Sequence, residues 1–174
     1  MRLFFALPFD AGARAAFGRV QQDLARRAAG GKFPPAENFH LTLAFLGEVD
    51  AGRLGGLQTL LRENPVPPLD LLFDRVGQFQ GGIWYLAPRT SPPLLSGQAA
   101  LAAALRRAGF PLEERPYRPH LTLGRKVTFP AGENPPDLPK EPIPARSSGA
   151  VLFHSHRVEG RLQYTPLTEN TRFR

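Results

Sequence analysis

His40-Leu41-Thr42-Leu43 recurs letter for letter as His120-Leu121-Thr122-Leu123, and two of the chain's four histidines fall in this pair. In an extended strand, successive side chains point to opposite faces and rise about 3.3 Å per residue. His40 and Thr42 therefore share one face, about 7 Å apart, and Leu41 and Leu43 share the other. His120 and Thr122 stand against Leu121 and Leu123 in the same way. Each copy reads as a strand whose leucines pack on a core while an imidazole and a hydroxyl face elsewhere. One such strand is commonly a half-buried hydrogen-bonded pair. Core packing has no reason to demand the same imidazole and hydroxyl twice.

Working outward, residues 2–7 predict a strand. Asp10 is an N-cap for a helix to about residue 29, with Ala13, Phe17, Val20 and Leu24 at helical spacing. Gly30-Gly31 and Pro34-Pro35 break the chain before the first motif strand, residues 39–46. A helix is expected over 50–62, then a strand over 71–79 that turns at Gly81-Gly82 into a hairpin partner over 83–86. Ala-rich residues 94–108 predict a third helix stopped by Gly109, before the second motif strand over 120–127. Residues 129–145 hold six prolines and no period. They are expected to form a loop, either a lid over the site or a plain connection. Residues 151–158 and 162–167 predict a closing hairpin turned at Glu159-Gly160. Each motif follows a helix and a proline-bearing turn, which suggests two related α+β halves that each add one motif strand to a shared groove.

The chain has 174 residues, 42% of them hydrophobic, which suffices for a core and argues against disorder. The net charge is +7, and only Lys32, Lys126 and Lys140 of the 22 basic residues are lysines, leaving 19 arginines. Such a balance favours a polyanionic partner, although a coding bias toward Arg, Ala, Pro, Leu and Gly would produce it too. With no cysteine, thiolate nucleophiles and Cys-based zinc sites are excluded. The apolar start is broken by Pro8 and closed by Asp10, so it reads as a buried strand and not a secretory signal. No run approaches a membrane span. A soluble, cytoplasmic, monomeric protein is expected.

Two imidazoles around one anion suit phosphodiester chemistry. A base must take a proton from the attacking oxygen and an acid must protonate the leaving oxygen, on opposite sides of phosphorus. Histidine serves either role near neutrality, and a nearby hydroxyl can donate to the non-bridging oxygens as charge builds.

The segments 38–47 and 115–125 closely resemble the two signature segments of the two-histidine phosphoesterases. Within that superfamily the chain resembles the bacterial and archaeal RNA 2',3'-cyclic phosphodiesterases, formerly called 2'-5' RNA ligases. The likeness includes residues 2–7, Gly77-Gln78-Phe79 and the hairpin with Ser155, Gly160 and Tyr164. It implies an α+β fold over residues 1–174, a single bilobal domain. Two pseudo-symmetric lobes of antiparallel strands, with outer helices, would flank a central groove. It further implies His40 as proton donor to the leaving oxygen, His120 as proton acceptor that activates water, and Thr42, Thr122 and Arg125 as phosphate contacts. The implied reaction opens a 2',3'-cyclic phosphate at an RNA 3' end, tRNA fragments included, to a 2'-phosphate without metal or cofactor. The reverse direction forms a 2'-5' linkage. Relatives often carry tryptophan where this chain has Phe33, which bears on packing at the groove rim.

Other candidates stand on pattern alone. Arg118 reads equally as a second phosphate contact or a surface arginine. By strict alternation Arg125 points away from Thr122, so its role requires a twist or a bulge there. Phe79 is a candidate for stacking on a terminal base, with Trp84 more at home in the strand core. His154 and His156 share a strand face, a spacing that metals use, but lack a third ligand and read as surface residues. Alternative functions are the same chemistry on a small cyclic nucleotide or ADP-ribose derivative, a His-dependent metal hydrolase, or a non-catalytic module that binds RNA ends.

Overall fold

Residues 3–7 are all buried, so the first strand must lie inside a sheet with both of its faces covered. The computed structural model describes residues 1–133, 137 and 139–168. In chain order the elements are β1 (Arg2–Pro8), α1 (Ala11–Arg27), β2 (Gly30–Lys32), β3 (His40–Glu48), α2 (Leu54–Glu63), β4 (Asp70–Phe79) and β5 (Ile83–Pro88). There follow α3 (Pro92–Arg107), β6 (Leu121–Thr128), β7 (Ile143–Arg146), β8 (Val151–Val158) and β9 (Arg161–Pro166), and short 3-10 turns occupy Ala36–Asn38 and Ala51–Arg53.

These strands form two antiparallel sheets, ordered β3-β1-β8-β9 and β2-β6-β5-β4-β7. Each sheet holds one motif strand, the α+β arrangement expected of the repeat. The lobes are not the two halves of the chain, however. Strands β8 and β9 return to complete the sheet of β1 and β3, while β4 and β5 join β6. The helices cross over as well: α1 leaves β1 yet packs on β6 and β7 of the other sheet, and α3 leaves β5 yet packs on β3 beside α2. One hydrophobic cluster runs through both sheets, with Phe17 of α1 against Phe73 of β4 at 4.8 Å.

Local signals explain most boundaries. The Asp10 carboxylate accepts from the Ala13 amide at 2.7 Å and starts α1, which buries Ala13, Phe17, Val20 and Leu24. Gly109, at φ 78°, ends α3. Its amide donates to the Arg106 carbonyl and the Phe110 amide to that of Leu105, the paired closure of a left-handed cap.

Two edge strands depart from the expected pattern. Gly30–Lys32 pairs with β6, and Ile143–Arg146, inside the segment expected to be a loop, pairs with β4. Glycine and proline hide both strands, and both lie at sheet edges, where a strand can hold proline because one side of its backbone needs no ladder partner. Residues 134–136 and 138 of that segment lie outside the described residues.

Asp10→Ala should cost about 1 kcal/mol, read as a fall of roughly 2–4 °C in Tm by calorimetry.

Candidate active site

Both motif strands carry an extra residue at the same place. Along β1, Ala6 faces Thr42 and Phe5 faces Ala44, so Leu43 is inserted. Along β5, Tyr85 faces Thr122 and Trp84 faces Gly124, so Leu123 is inserted. A bulge of this kind shifts the following side chains by one position of the pleat. Leu43 and Ala44 are both buried, as are Leu123 and Gly124. Phe45 and Arg125 then return to the face that carries histidine and threonine. The bulged carbonyls are taken from behind: Gln98 Nε2 of α3 donates to Leu43 at 3.0 Å, and Gln21 Nε2 of α1 donates to Leu123 at 2.8 Å.

The two histidines are tethered alike. His40 Nδ1 lies 2.7 Å from the Asn38 carbonyl and His120 Nδ1 lies 2.7 Å from the Arg118 carbonyl. A carbonyl only accepts, so each Nδ1 carries the proton and each neutral Nε2 keeps its lone pair. The Thr42 hydroxyl stands 3.1 Å from His40 Nε2. Each imidazole is also held by one phenylalanine and one tyrosine. Phe4 and Tyr164 touch His40, with centroids at 4.9 and 5.0 Å. Phe79 and Tyr85 touch His120 at 5.0 and 5.7 Å, and stack on one another at 4.3 Å. Gly77 makes this second pair possible, since a Cβ there would lie 2.4 Å from the Tyr85 hydroxyl.

Burial among these rings pushes His40 down to about 4; the Asn38 carbonyl opposes the shift, and the charges of His120 and Arg125 add to it. Burial also lowers His120, against the pull of the Arg118 carbonyl and with further push from Arg125. Both rings are therefore neutral near pH 7. The positive charge of Arg125 pushes both imidazoles and the Tyr164 hydroxyl downward.

The remaining candidates separate by position. Arg118 precedes β6; its carbonyl holds His120 and its side chain is exposed. Trp84 is buried and packs edge-on against Phe129 at 5.3 Å. Phe33 packs beneath β6, where a Cβ on Gly124 would meet its ring at 2.9 Å. His154 and His156 stack at 4.6 Å on the opposite face of β8 from Phe153 and Ser155, and His156 Nε2 bonds Thr165 Oγ1 at 2.7 Å. Among the described residues, no three His, Cys, Asp or Glu side chains converge as a metal site, and no helix is long and apolar enough to cross a membrane. Sequence reasoning missed Gln21, Gln98 and Tyr117. The Tyr117 hydroxyl, pushed up by burial, donates to the Thr42 carbonyl at 2.9 Å and so ties the approach to the second motif onto the first.

The fold and its paired motifs define a two-histidine phosphoesterase. Comparison with known proteins makes the assignment narrower: the sequence model of the 2'-5' RNA ligase superfamily matches residues 8–141, and the chain belongs to that family. The RNA 2',3'-cyclic phosphodiesterase of Escherichia coli (strain K12) is 35% identical over 95% of this chain and 93% of that protein. That of Bacillus subtilis (strain 168) is 33% identical over 54% of this chain and 57% of its own length. Among solved structures, E. coli LigT complexed with 3'-AMP superposes with a TM-score of 0.80 at 31% identity, covering 96% of this chain and 95% of that one. A protein of Thermus thermophilus gives 0.78 at 27% identity, covering 97% and 96%.

Because folded His40 resists protonation, the unfolded chain binds more protons between about pH 6.5 and 4. Stability should therefore fall as pH drops through that window. His40→Asn should flatten the slope, as read by urea unfolding at pH 5 and pH 7. Gly77→Ala should displace Tyr85 and loosen His120, visible as a changed imidazole titration by NMR.

Proposed function

We propose that the protein hydrolyses the 2',3'-cyclic phosphate at an RNA 3' end to a 2'-phosphomonoester, acting as a monomer in the cytoplasm. Two histidines carry the chemistry, and neither a metal ion nor a cofactor takes part. The observation that carries this reading is the matched tether of the two imidazoles, each with Nδ1 on a carbonyl two residues back, with Arg125 acting on both. The activities named for the relatives, and the 3'-AMP bound by the E. coli neighbour, support the same substrate class.

In this mechanism His120 Nε2 takes a proton from water as the water oxygen attacks phosphorus. The bond from phosphorus to the 3' oxygen breaks, and His40 Nε2–H delivers its proton to that oxygen. The phosphate stays on the 2' oxygen. Thr42, Thr122 and Arg125 hold the non-bridging oxygens as charge builds there. His40 is neutral in the empty site, and a phosphate anion beside it favours the imidazolium. Substrate thus calls up the acid that its own cleavage requires. With an RNA 5' hydroxyl attacking in place of water, the same displacement of the 3' oxygen joins ends through a 2'-5' linkage.

His40→Ala and His120→Ala should each lower the rate by at least roughly 10²-fold, with non-additive losses in the double variant. EDTA should leave turnover intact, and the product should be the 2'-monophosphate; a 3'-monophosphate would reverse the geometry. Since kcat/KM reports the free enzyme, its optimum should lie on the acid side of pH 6.5.

A further inference from the structure

We propose that Lys32, on the edge strand β2, binds the phosphodiester on the 5' side of the terminal nucleoside and so favours polymeric RNA over single nucleotides. This rests on the reading above, in which the cyclic phosphate lies between His40 and His120 with Arg125 on its oxygens. In the register of β2 and β6, Lys32 stands directly opposite Arg125. Directly opposed residues of an antiparallel pair share a face, with Cβ atoms about 5 Å apart. The neighbours of Lys32 fix which face that is. A Cβ on Gly31 would meet the Phe33 ring and Val127 at 3.1 Å, and a Cβ on Gly124 would meet the same ring at 2.9 Å. Residues 31 and 33 therefore turn toward the core side of β6. Lys32, between them, turns the other way, to the face that Arg125 shares with Thr122.

Stability gains nothing from this pairing. Like charges directly opposite one another destabilise two strands. Among the described residues neither side chain joins an ion pair, and Lys32 is exposed. The alignment also takes strained backbone to hold. Lys126, next to Arg125, has φ 53°, in the left-handed region that side chains disfavour. Here Lys126 and Val127 together face the single residue Gly31, since the next pair along is Gly30 with Thr128. The extra residue lets Arg125 face the groove while Val127 returns to the core. Two cations set side by side on strained backbone, with no protein counter-ion, suit two neighbouring anions. The first is the cyclic phosphate. A cyclic phosphate ends its chain, so every other phosphate of the substrate lies upstream, and the nearest is the phosphodiester on the terminal ribose. Strand β2 is the outermost of its sheet, which puts Lys32 on the way out of the groove. A contact to backbone phosphate carries no sequence information, and so serves RNA ends of any sequence.

The test compares adenosine 2',3'-cyclic phosphate with the dinucleotide ApA 2',3'-cyclic phosphate, using the ratio of the two kcat/KM values as readout. Wild type should favour the dinucleotide, chiefly through KM. Lys32→Ala should reduce that preference by about 5-fold, the upper end of what an exposed ion pair contributes, and Lys32→Arg should retain it. The ratio cancels any general loss of activity. In Lys32→Ala the salt dependence for the dinucleotide, log kcat/KM against log salt, should flatten by about 0.7, the share of one phosphate contact on a single strand. An uncharged methylphosphonate linkage in the dinucleotide should cost wild type the same factor and Lys32→Ala nothing. An unchanged ratio in Lys32→Ala, or an equal loss on both compounds, would overturn the assignment while leaving the reaction standing. A wild type that opens neither compound would count against the reaction itself.

Discussion

The inserted residue in each motif strand, Leu43 in one and Leu123 in the other, is the constraint on which the site depends. A strand presents alternate residues to one face, and a shift of one position reverses that assignment for everything downstream. Without the insertion, Phe45 and Arg125 would point into the core. With it, two consecutive small or leucine side chains turn inward and the pleat resumes on the other phase. The irregularity leaves a carbonyl that needs a donor. Glutamines from α3 and α1 provide it. Each of those helices departs from a strand of the opposite sheet, so each lobe shapes the motif of the other.

Electrostatics follow from the same architecture. The imidazoles lie among aromatic rings, where a positive charge is poorly solvated, and one arginine repels protons from both. An empty site held in this way contains no spare cation at the acid. Charge arrives with the anion. The tautomer is settled separately, by backbone carbonyls that no side-chain motion can withdraw. Orientation and protonation are thus controlled by different parts of the structure, the first by main chain and the second by burial.

Much of this was legible in the chain. The repeated tetrapeptide identified both motif strands, Asp10 and the spacing of Ala13, Phe17, Val20 and Leu24 defined α1 and its buried face, and Gly109 marked the end of α3. Three features were hidden for physical reasons. Edge strands β2 and β7 contain the very residues that signal turns. The role implied for Arg125 already called for an irregularity after Thr122, but its match in the first motif was hidden: a bulge is a property of two strands in register, and Leu43 looks like any other leucine until Ala6 and Phe5 are set beside it. The aromatic partners of the histidines come from distant positions, as with Phe4 and Tyr164 around His40, and polar Gln21 and Gln98 resemble ordinary surface residues of a helix. Aligned on their histidines, the two motifs put Phe45 opposite Arg125.

The exchange of strands between lobes has a consequence for biosynthesis. Strand β1 is flanked by β3 on one side and β8 on the other, so residues 2–6 find their second neighbour only once residues 151–155 have been made. Until then the most apolar strand of the molecule has one open edge, the kind of surface on which nascent chains associate. Closure over so long a separation is slow compared with local pairing. A ribosome that pauses before residue 151 would hold the chain in that exposed state, with both histidines already synthesised and one wall of their groove still missing.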